Sequence, residues 1–140
     1  MNRVTDWESE LIKVLEAYRS EPWTWGRSDC AHFAGDCVRA ITGRDPLGAF
    51  RGNYTSRLEA WARLRCWKHK NFETTVAAIM ADFGCPEGVP ECAMVGDVGF
   101  TDMGVLCVRF PVGFIARGED AQFHKVRAVR SWCVAWPGAE

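Results

Sequence analysis

The stretch from Trp23 to Phe33 holds the residue types best suited to chemistry, with Cys30 directly after Asp29 at the predicted start of a helix. The first turn of a helix offers unpaired N–H groups and a partial positive charge, which favour a thiolate nucleophile. Gly26 permits a tight turn into such a helix. A carboxylate beside the thiol raises its pKa, however, and a small thiol also suits a protein core. The stretch therefore predicts either a nucleophilic cysteine or a buried core cysteine.

A nucleophilic thiol needs a base, and the chain offers three histidines. His32 lies two positions after Cys30, about 200° around a helix, so we expect it to point away from the thiol, toward the surface or the following loop. His124 lies in a predicted strand, one face of which can turn toward the helix start, so Cys30 and His124 are the candidate dyad. His69, between two lysines, is predicted to be solvated.

Helical periodicity of the apolar residues predicts four helices in the first part of the chain. They cover residues 6–19, 29–43, 56–67 and 71–84. The second helix carries Cys30 at its start and is predicted to end at Gly43, a natural C-terminal cap. Capping signals precede the other three helices: Thr5 with Glu8, Ser56 with Glu59, and Asn71.

After Pro86 the pattern changes to short segments rich in Val, Phe, Ile and Trp, separated by Gly, Pro and Asp. We predict an antiparallel meander of strands at residues 97–101, 105–110, 113–116, 123–126 and 131–136. Helices followed by strands indicate an α+β fold, in which the helix bearing Cys30 packs on the C-terminal sheet. The 140 residues contain no linker or repeat, so a single domain over residues 1–140 is expected.

Composition argues against several classes of protein. The net charge is −1, from 17 basic and 18 acidic residues, so the basic excess typical of nucleic-acid binding is missing. No apolar run approaches the ~20 residues of a membrane span, and the polar N-terminus does not read as a secretory signal. The seven cysteines contain no Cys-x-x-Cys pair. We therefore expect a reduced cytoplasmic protein without disulfides, metal or cofactor.

Charge is segregated along the sequence. The segment 57–70 carries five basic residues and one acidic residue: Arg57, Arg63, Arg65, Lys68, Lys70 and Glu59. The following segment, up to Arg109, contains acidic residues and no Lys or Arg. The two segments form either a solvated helix face beside an acidic loop, or two surfaces of opposite sign that dock neighbouring proteins. The seven tryptophans would supply anchors for such docking, although Trp132 and Trp136 are predicted to share a core-facing strand face.

The motif from Trp25 to Phe33, Trp-Gly-x-x-Asp-Cys-x-x-Phe, precedes a Gly-Asp-Val step at Asp97 and a short strand meander. This arrangement resembles the NlpC-type papain-like endopeptidases, which cut peptidoglycan peptides. The likeness is greatest to a group of short phage and prophage proteins of this fold, which share Arg-Gly-x-Tyr, here Arg51 to Tyr54, and a final strand with Trp. The resemblance covers about residues 23–136.

Residue by residue, the resemblance makes Cys30 the nucleophile and Asp97 the residue that introduces the first strand. The base histidine should open the next strand, where this chain has Asp102. A carboxylate is a poor base for a thiol, so His124 remains the candidate base. Arg51 is expected to latch its loop by pairing with Asp45 or Asp29.

Two functions follow from the resemblance, and both stay open at this point. The first is a structural protein of the phage tail tip or of tail assembly, with a degenerate peptidase site and other tail proteins as partners. Such a protein would be found in the host cytoplasm during assembly and then in the virion. The second is an active cysteine endopeptidase or amidase that attacks peptidoglycan peptides during infection through Cys30. The missing strand histidine favours the structural role, and neither function implies nucleic acid or membrane insertion.

Overall fold

Four helices precede the strands in the structure, a computed structural model that describes residues 2–48, 51–52, 54–66 and 71–135. The helices are α1 (Trp7–Arg19), α2 (Cys30–Thr42), α3 (Arg57–Cys66) and α4 (Phe72–Asp82). A 3-10 turn, Pro90–Cys92, separates the first strand from the second. The strands are β1 (Glu87–Gly88), β2 (Val98–Phe100), β3 (Leu106–Phe110), β4 (Gly113–Arg117), β5 (Phe123–Val126) and β6 (Arg130–Trp132). The predicted α+β class is confirmed.

Some predictions fall outside the described residues. They concern Asn53 in the Arg-Gly-x-Tyr loop, the end of helix three at Trp67, the basic pair around His69, and Trp136. None of the helices in the described ranges is long and apolar enough to cross a membrane.

The strands form one antiparallel sheet in the order β1-β6-β2-β3-β4-β5. Strands β2 to β5 make the predicted meander, but β6 lies between β1 and β2 instead of following β5. The prediction of a simple meander is wrong at this strand. In its central position Trp132 lies opposite Val98 and is buried in the core, whereas the end of a meander would leave it at an exposed edge.

Helix α2 forms the centre of the hydrophobic core and contacts both α1 and β3. Its apolar stripe of Phe33, Cys37, Val38 and Ile41 is fully buried. The Phe33 ring lies 5.1 Å from the rings of Tyr18 on α1 and Phe123 on β5. The helix packs against the sheet as predicted, so its first turn is held rigidly at the edge of the core.

The predicted capping residues are confirmed for α2 and α4. Gly43 caps α2 at φ +77°, and the Asn71 side chain accepts from the Thr74 N–H at 2.9 Å at the start of α4. The prediction of a Thr5–Glu8 capping box is wrong, because α1 begins after Asp6 and has no side-chain cap. The Val4 N–H donates to the Ile41 carbonyl at 2.8 Å, so a tertiary contact orients this segment instead.

Candidate functional site

Cys30 is the first residue of α2 and lines a cavity of about 1120 Å³. We call this the Cys30 cavity; its wall includes Trp25, Cys30, His32, Phe72, Phe100 and Arg117. The Trp25 ring packs edge-on against Trp23, with ring centroids 5.6 Å apart. Trp23 and Trp25 thus form part of the cavity wall, and the cavity is large enough for a small-molecule or peptide ligand.

The thiol of Cys30 is not activated. Burial raises its pKa to about 12, although a hydrogen bond from the Leu106 backbone lowers it, and the nearby Asp29 charge raises it further. Catalytic cysteines have pKa values below the usual value for a free thiol. Cys30 therefore stays protonated at neutral pH despite its position at a helix start.

Asp29 is a buried hub that accepts four hydrogen bonds. Its donors are the Gly26 N–H at 2.9 Å, the His32 N–H at 2.9 Å, His32 Nδ1 at 2.8 Å and the Tyr54 hydroxyl at 2.6 Å. Burial pushes the pKa of this carboxyl up, but the hydrogen bonds from His32 and Tyr54 outweigh it and the pKa is lowered. The ionised carboxylate therefore ties the helix start to the preceding turn and to the Tyr54 loop.

Gly26 is required by the close approach of the Tyr54 loop. Its φ is +80°, and a Cβ at this position would lie 2.1 Å from the Tyr54 carbonyl oxygen. The Gly26 carbonyl also accepts from the Gly52 N–H at 2.9 Å. Gly26 and Asp29 of the first motif therefore form one structural unit with Tyr54, which lies 25 residues after Asp29.

His32 is fully buried, with 0% of its surface exposed, so the expectation of a surface position is wrong. The alternative, a partner in the following loop, is confirmed, because Nδ1 lies 3.3 Å from the Tyr54 hydroxyl. The side chain is drawn inward by the Asp29 carboxylate one helical turn earlier. Its Nε2 has no hydrogen-bond partner among the described residues, although the side chain lines the Cys30 cavity.

His124 lines the same cavity, but the structure does not join it to Cys30. Its Nε2 lies 2.9 and 3.0 Å from the carboxylate oxygens of Asp120, and its side chain is 51% exposed. The preceding residue, Phe123, packs on Phe33 of α2, so the two side chains leave β5 on opposite faces, and His124 is the one that lines the cavity. No hydrogen bond connects the two members of the candidate dyad in the described part of the chain.

Arg51 latches its loop as predicted through Asp45, with Nε 2.5 Å from Oδ2. The alternative partner, Asp29, is already occupied, and Arg51 pairs with Asp36 at 2.5 Å instead. Asp36 also accepts from the Tyr18 hydroxyl at 2.5 Å. The role of Asp36 was not predicted, although an acidic residue next to the apolar stripe of α2 is a signal for such a pairing.

Asp97 and Asp102, the two strand-entering carboxylates of the resemblance, have different surroundings. Asp97 is buried and accepts from the Val134 N–H at 3.0 Å and the Met94 N–H at 2.9 Å. Asp102 is exposed in the turn between β2 and β3, at the rim of the Cys30 cavity. Asp97 thus holds the sheet to the adjacent chain segments, and Asp102 faces solvent where the base histidine was expected.

Arg117 is a cavity residue whose role the sequence analysis missed. It is 1% exposed, and its Nη1 and Nη2 donate to the carbonyls of Tyr18 and Glu21. Its guanidinium carbon lies 5.1 Å from the centre of the Tyr18 ring and 5.7 Å from that of Phe123. No local pattern predicts this burial, because both carbonyl partners lie about a hundred residues earlier in the chain.

No group of three or more His, Cys, Asp or Glu suited to a metal ion forms in the described ranges.

A family model described as Domain of unknown function (DUF6950) matches residues 2–136. No curated protein and no solved structure matches the chain.

Proposed function

This chain belongs to the DUF6950 family, and we propose that it is a phage-tail structural protein with an NlpC-type papain-like fold and a degenerate peptidase site. The proposal has two parts, loss of hydrolysis and a place in the tail, and each has its own support. The fold component is supported by the cysteine at the start of the central helix and by the antiparallel sheet on which that helix packs.

One observation carries the loss of hydrolysis: among the described residues, no histidine forms a hydrogen bond with Cys30. Its thiol is protonated, with a pKa of about 12. The exposed Asp102 occupies the position at which the resemblance predicts the base histidine. His124 is held by Asp120. Without a positioned base the thiol lacks both activation and the proton relay that acyl transfer needs.

The tail role rests on the resemblance to short phage proteins and gains support from the surface. Leu58 on α3 is 81% exposed, and Met103 at the rim of the Cys30 cavity is 84% exposed. Arg57 also lies on α3, where it pairs with Glu119 at the surface. Met and Arg are among the residue types enriched at protein–protein interfaces. We infer that this side of the molecule contacts neighbouring tail proteins.

The alternative is an active cell-wall endopeptidase or amidase that uses Cys30. The observation that favours it is the Cys30 cavity, which gives the thiol a large apolar ligand space beside a backbone N–H donor at Leu106. Such a donor is also what an oxyanion needs. A second protein or a conformational change would have to supply the base.

With purified sacculi as substrate, we expect the protein to release no stem-peptide fragments above a buffer control. A thiol without a general base lacks a factor of ~100 to 10,000 in rate. Mass spectrometry of the soluble fraction measures the fragments, and Cys30→Ala and His124→Ala variants serve as controls. Fragments that appear with the wild type and vanish with both variants would establish the peptidase alternative.

In gradient-purified virions of the encoding phage, we expect the chain to be present in constant ratio to other tail proteins. The reason is that a structural subunit remains in the particle, whereas an assembly factor is lost on purification. Quantitative mass spectrometry of virions against lysate measures this ratio. Particles that contain all other tail proteins but not this chain would contradict the tail-structural role.

A further inference from the structure

Strand β5 lies at one edge of the sheet and, among the strands that the structure describes, pairs with β4 alone. The Gly118 N–H donates to the Gln122 carbonyl at 2.8 Å and closes the β4–β5 hairpin. Bonded and non-bonded pairs alternate along an antiparallel ladder, so His124 bonds to β4, whereas the backbone groups of Phe123 and Lys125 point away from it. Within the described ranges no backbone group of another element bonds to these outward N–H and C=O groups.

The polar side chains of β5 fold back over β4 and leave this edge uncovered. A Cβ added at Gly113 would lie 2.9 Å from Lys125 Cε, so the lysine stem lies across the start of β4. A Cβ added at Gly118 would lie 2.9 Å from His124 Nε2, which Asp120 also holds at the hairpin. Native sheets commonly protect an edge with charged side chains, prolines or bulges. Strand β5 contains no proline, and its charge is directed over β4, so the edge is open for pairing.

The edge carries two cations, Lys125 in β5 and Arg127 directly after it, and both are exposed. Neither forms an ion pair with a residue in the described ranges. The carboxylates of the hairpin turn are already paired, Glu119 with Arg57 at 3.0 Å and Asp120 with the histidine of β5 at 2.9 Å. Opposite charges across neighbouring strands stabilise their pairing, and like charges destabilise it. An acidic strand therefore fits this edge.

A second copy of this chain fits the edge poorly. Two β5 strands side by side would bring Lys125 and Arg127 of one copy close to the same cations of the other. The opposite edge of the sheet, β1, has only two residues, and its Glu87 is bound by Arg130 at 2.7 Å. The charges therefore favour a strand from a different protein.

We propose that β5 is a docking edge for an extended acidic segment of a partner protein, which adds to the six-stranded sheet as a seventh strand. The backbone of the segment bonds to the outward groups of β5, and its Asp or Glu side chains pair with Lys125 and Arg127. His124 and Arg127 also line the Cys30 cavity, so the added strand runs along the rim of that cavity. The docking edge does not depend on a tail role, since it follows from the sheet and its charges.

Fluorescence anisotropy of labelled peptides with the full chain tests the proposal. The probe is Thr-Glu-Val-Glu-Val-Glu-Thr, and we expect it to bind about 10-fold more tightly than the same peptide with lysine for glutamate. N-methylation of either the glutamates or the valines blocks one edge of the peptide, so one methylated form should lose about 10-fold in affinity and the other should keep most of it. Equal binding of the acidic and lysine peptides, equal binding of the two methylated forms, or no binding up to about 1 mM would overturn the proposal.

Hydrogen exchange followed by NMR locates the added strand. In the free protein the amides of Phe123 and Lys125 should exchange faster than those of His124 and Val126, which bond to β4. Saturation with the acidic peptide should slow exchange at Phe123 and Lys125 by at least about 10-fold. Slowing at the start of α2 instead, with β5 unchanged, would place the peptide in the Cys30 cavity and contradict an edge site.

Charge reversal at the edge separates strand pairing from general charge attraction. Lys125→Glu should weaken binding of the acidic peptide about 3- to 10-fold and strengthen binding of the lysine peptide. Lys13→Glu is the matched control, because it makes the same charge change at an exposed position of α1 and should leave both affinities unchanged. Equal effects of the two substitutions would overturn the edge assignment. If Lys125→Glu does not fold, the peptide series and the exchange data on the wild type decide, and the sacculus and virion assays affect none of these readouts.

Discussion

Replacement of Asp29 by alanine is expected to lower the free energy of unfolding by about 3–4 kcal/mol. The substitution removes the N-cap of α2 and leaves the buried donors of Gly26, His32 and Tyr54 without their acceptor. Urea denaturation followed by tryptophan fluorescence measures the change at neutral pH. Tyr54→Phe, which removes a single donor, should cost about 1 kcal/mol.

The control is Asp120→Ala, which removes an exposed carboxylate that also accepts from a histidine and a backbone N–H. It should change stability little, because solvent replaces its partners. If Asp29→Ala were as mild as Asp120→Ala, the hub would not hold the site together. Because the pKa of Asp29 is lowered from 3.8, its contribution is complete above about pH 4 and is lost as the pH falls through the lowered value. The difference between wild type and Asp29→Ala should therefore narrow below about pH 4.

Iodoacetamide should label Cys30 at least ~100-fold more slowly than Cys92 in the native protein near pH 8. With burial raising the Cys30 pKa to about 12, roughly one thiol in 10,000 is ionised at that pH. Cys92 is exposed, so nothing shields it from the reagent. Timed quenching and peptide mapping by mass spectrometry give the rate at each cysteine.

Unfolding in urea provides the control for this labelling experiment. It should bring the rates at Cys30 and Cys92 to similar values, because the buried environment that raises the Cys30 pKa is then lost. Cys92→Ser removes competition for reagent and should leave the native rate at Cys30 unchanged. Labelling of Cys30 ahead of all other cysteines would show an activated thiol and would favour the peptidase alternative.

Structural features that depend on residues close together in the sequence could be predicted from the sequence alone. Helix α2 has a periodic stripe, an acidic N-cap and a terminal glycine, and all three predict its limits. The position of β6 depends on the pairing of Trp132 with Val98. These two residues are far apart in the sequence, so no local pattern predicts their pairing. The two-residue strand β1 was also missed, since it forms only through its pairing with β6.

The candidate site likewise combines features that neighbouring residues determine with features that depend on residues distant in the sequence. The Trp-Gly-x-x-Asp-Cys motif predicted the helix start and the constraint at Gly26, because backbone conformation and capping act over a few residues. The inward turn of His32 depends on Asp29 and on a hydroxyl from the distant Tyr54. Likewise, the partners of Arg117 are carbonyls about a hundred residues earlier, so its burial was invisible in the sequence.

The insertion of β6 between β1 and β2 has a consequence for biosynthesis. The sheet cannot close until residues 130–132 have been synthesised and have left the ribosome, because no earlier strand fills that gap. Until then the nascent chain presents β2, with its apolar Val98 and Phe100, as an open edge of the kind that promotes aggregation. We therefore expect the yield of folded protein to depend on how quickly the last strand pairs with the second.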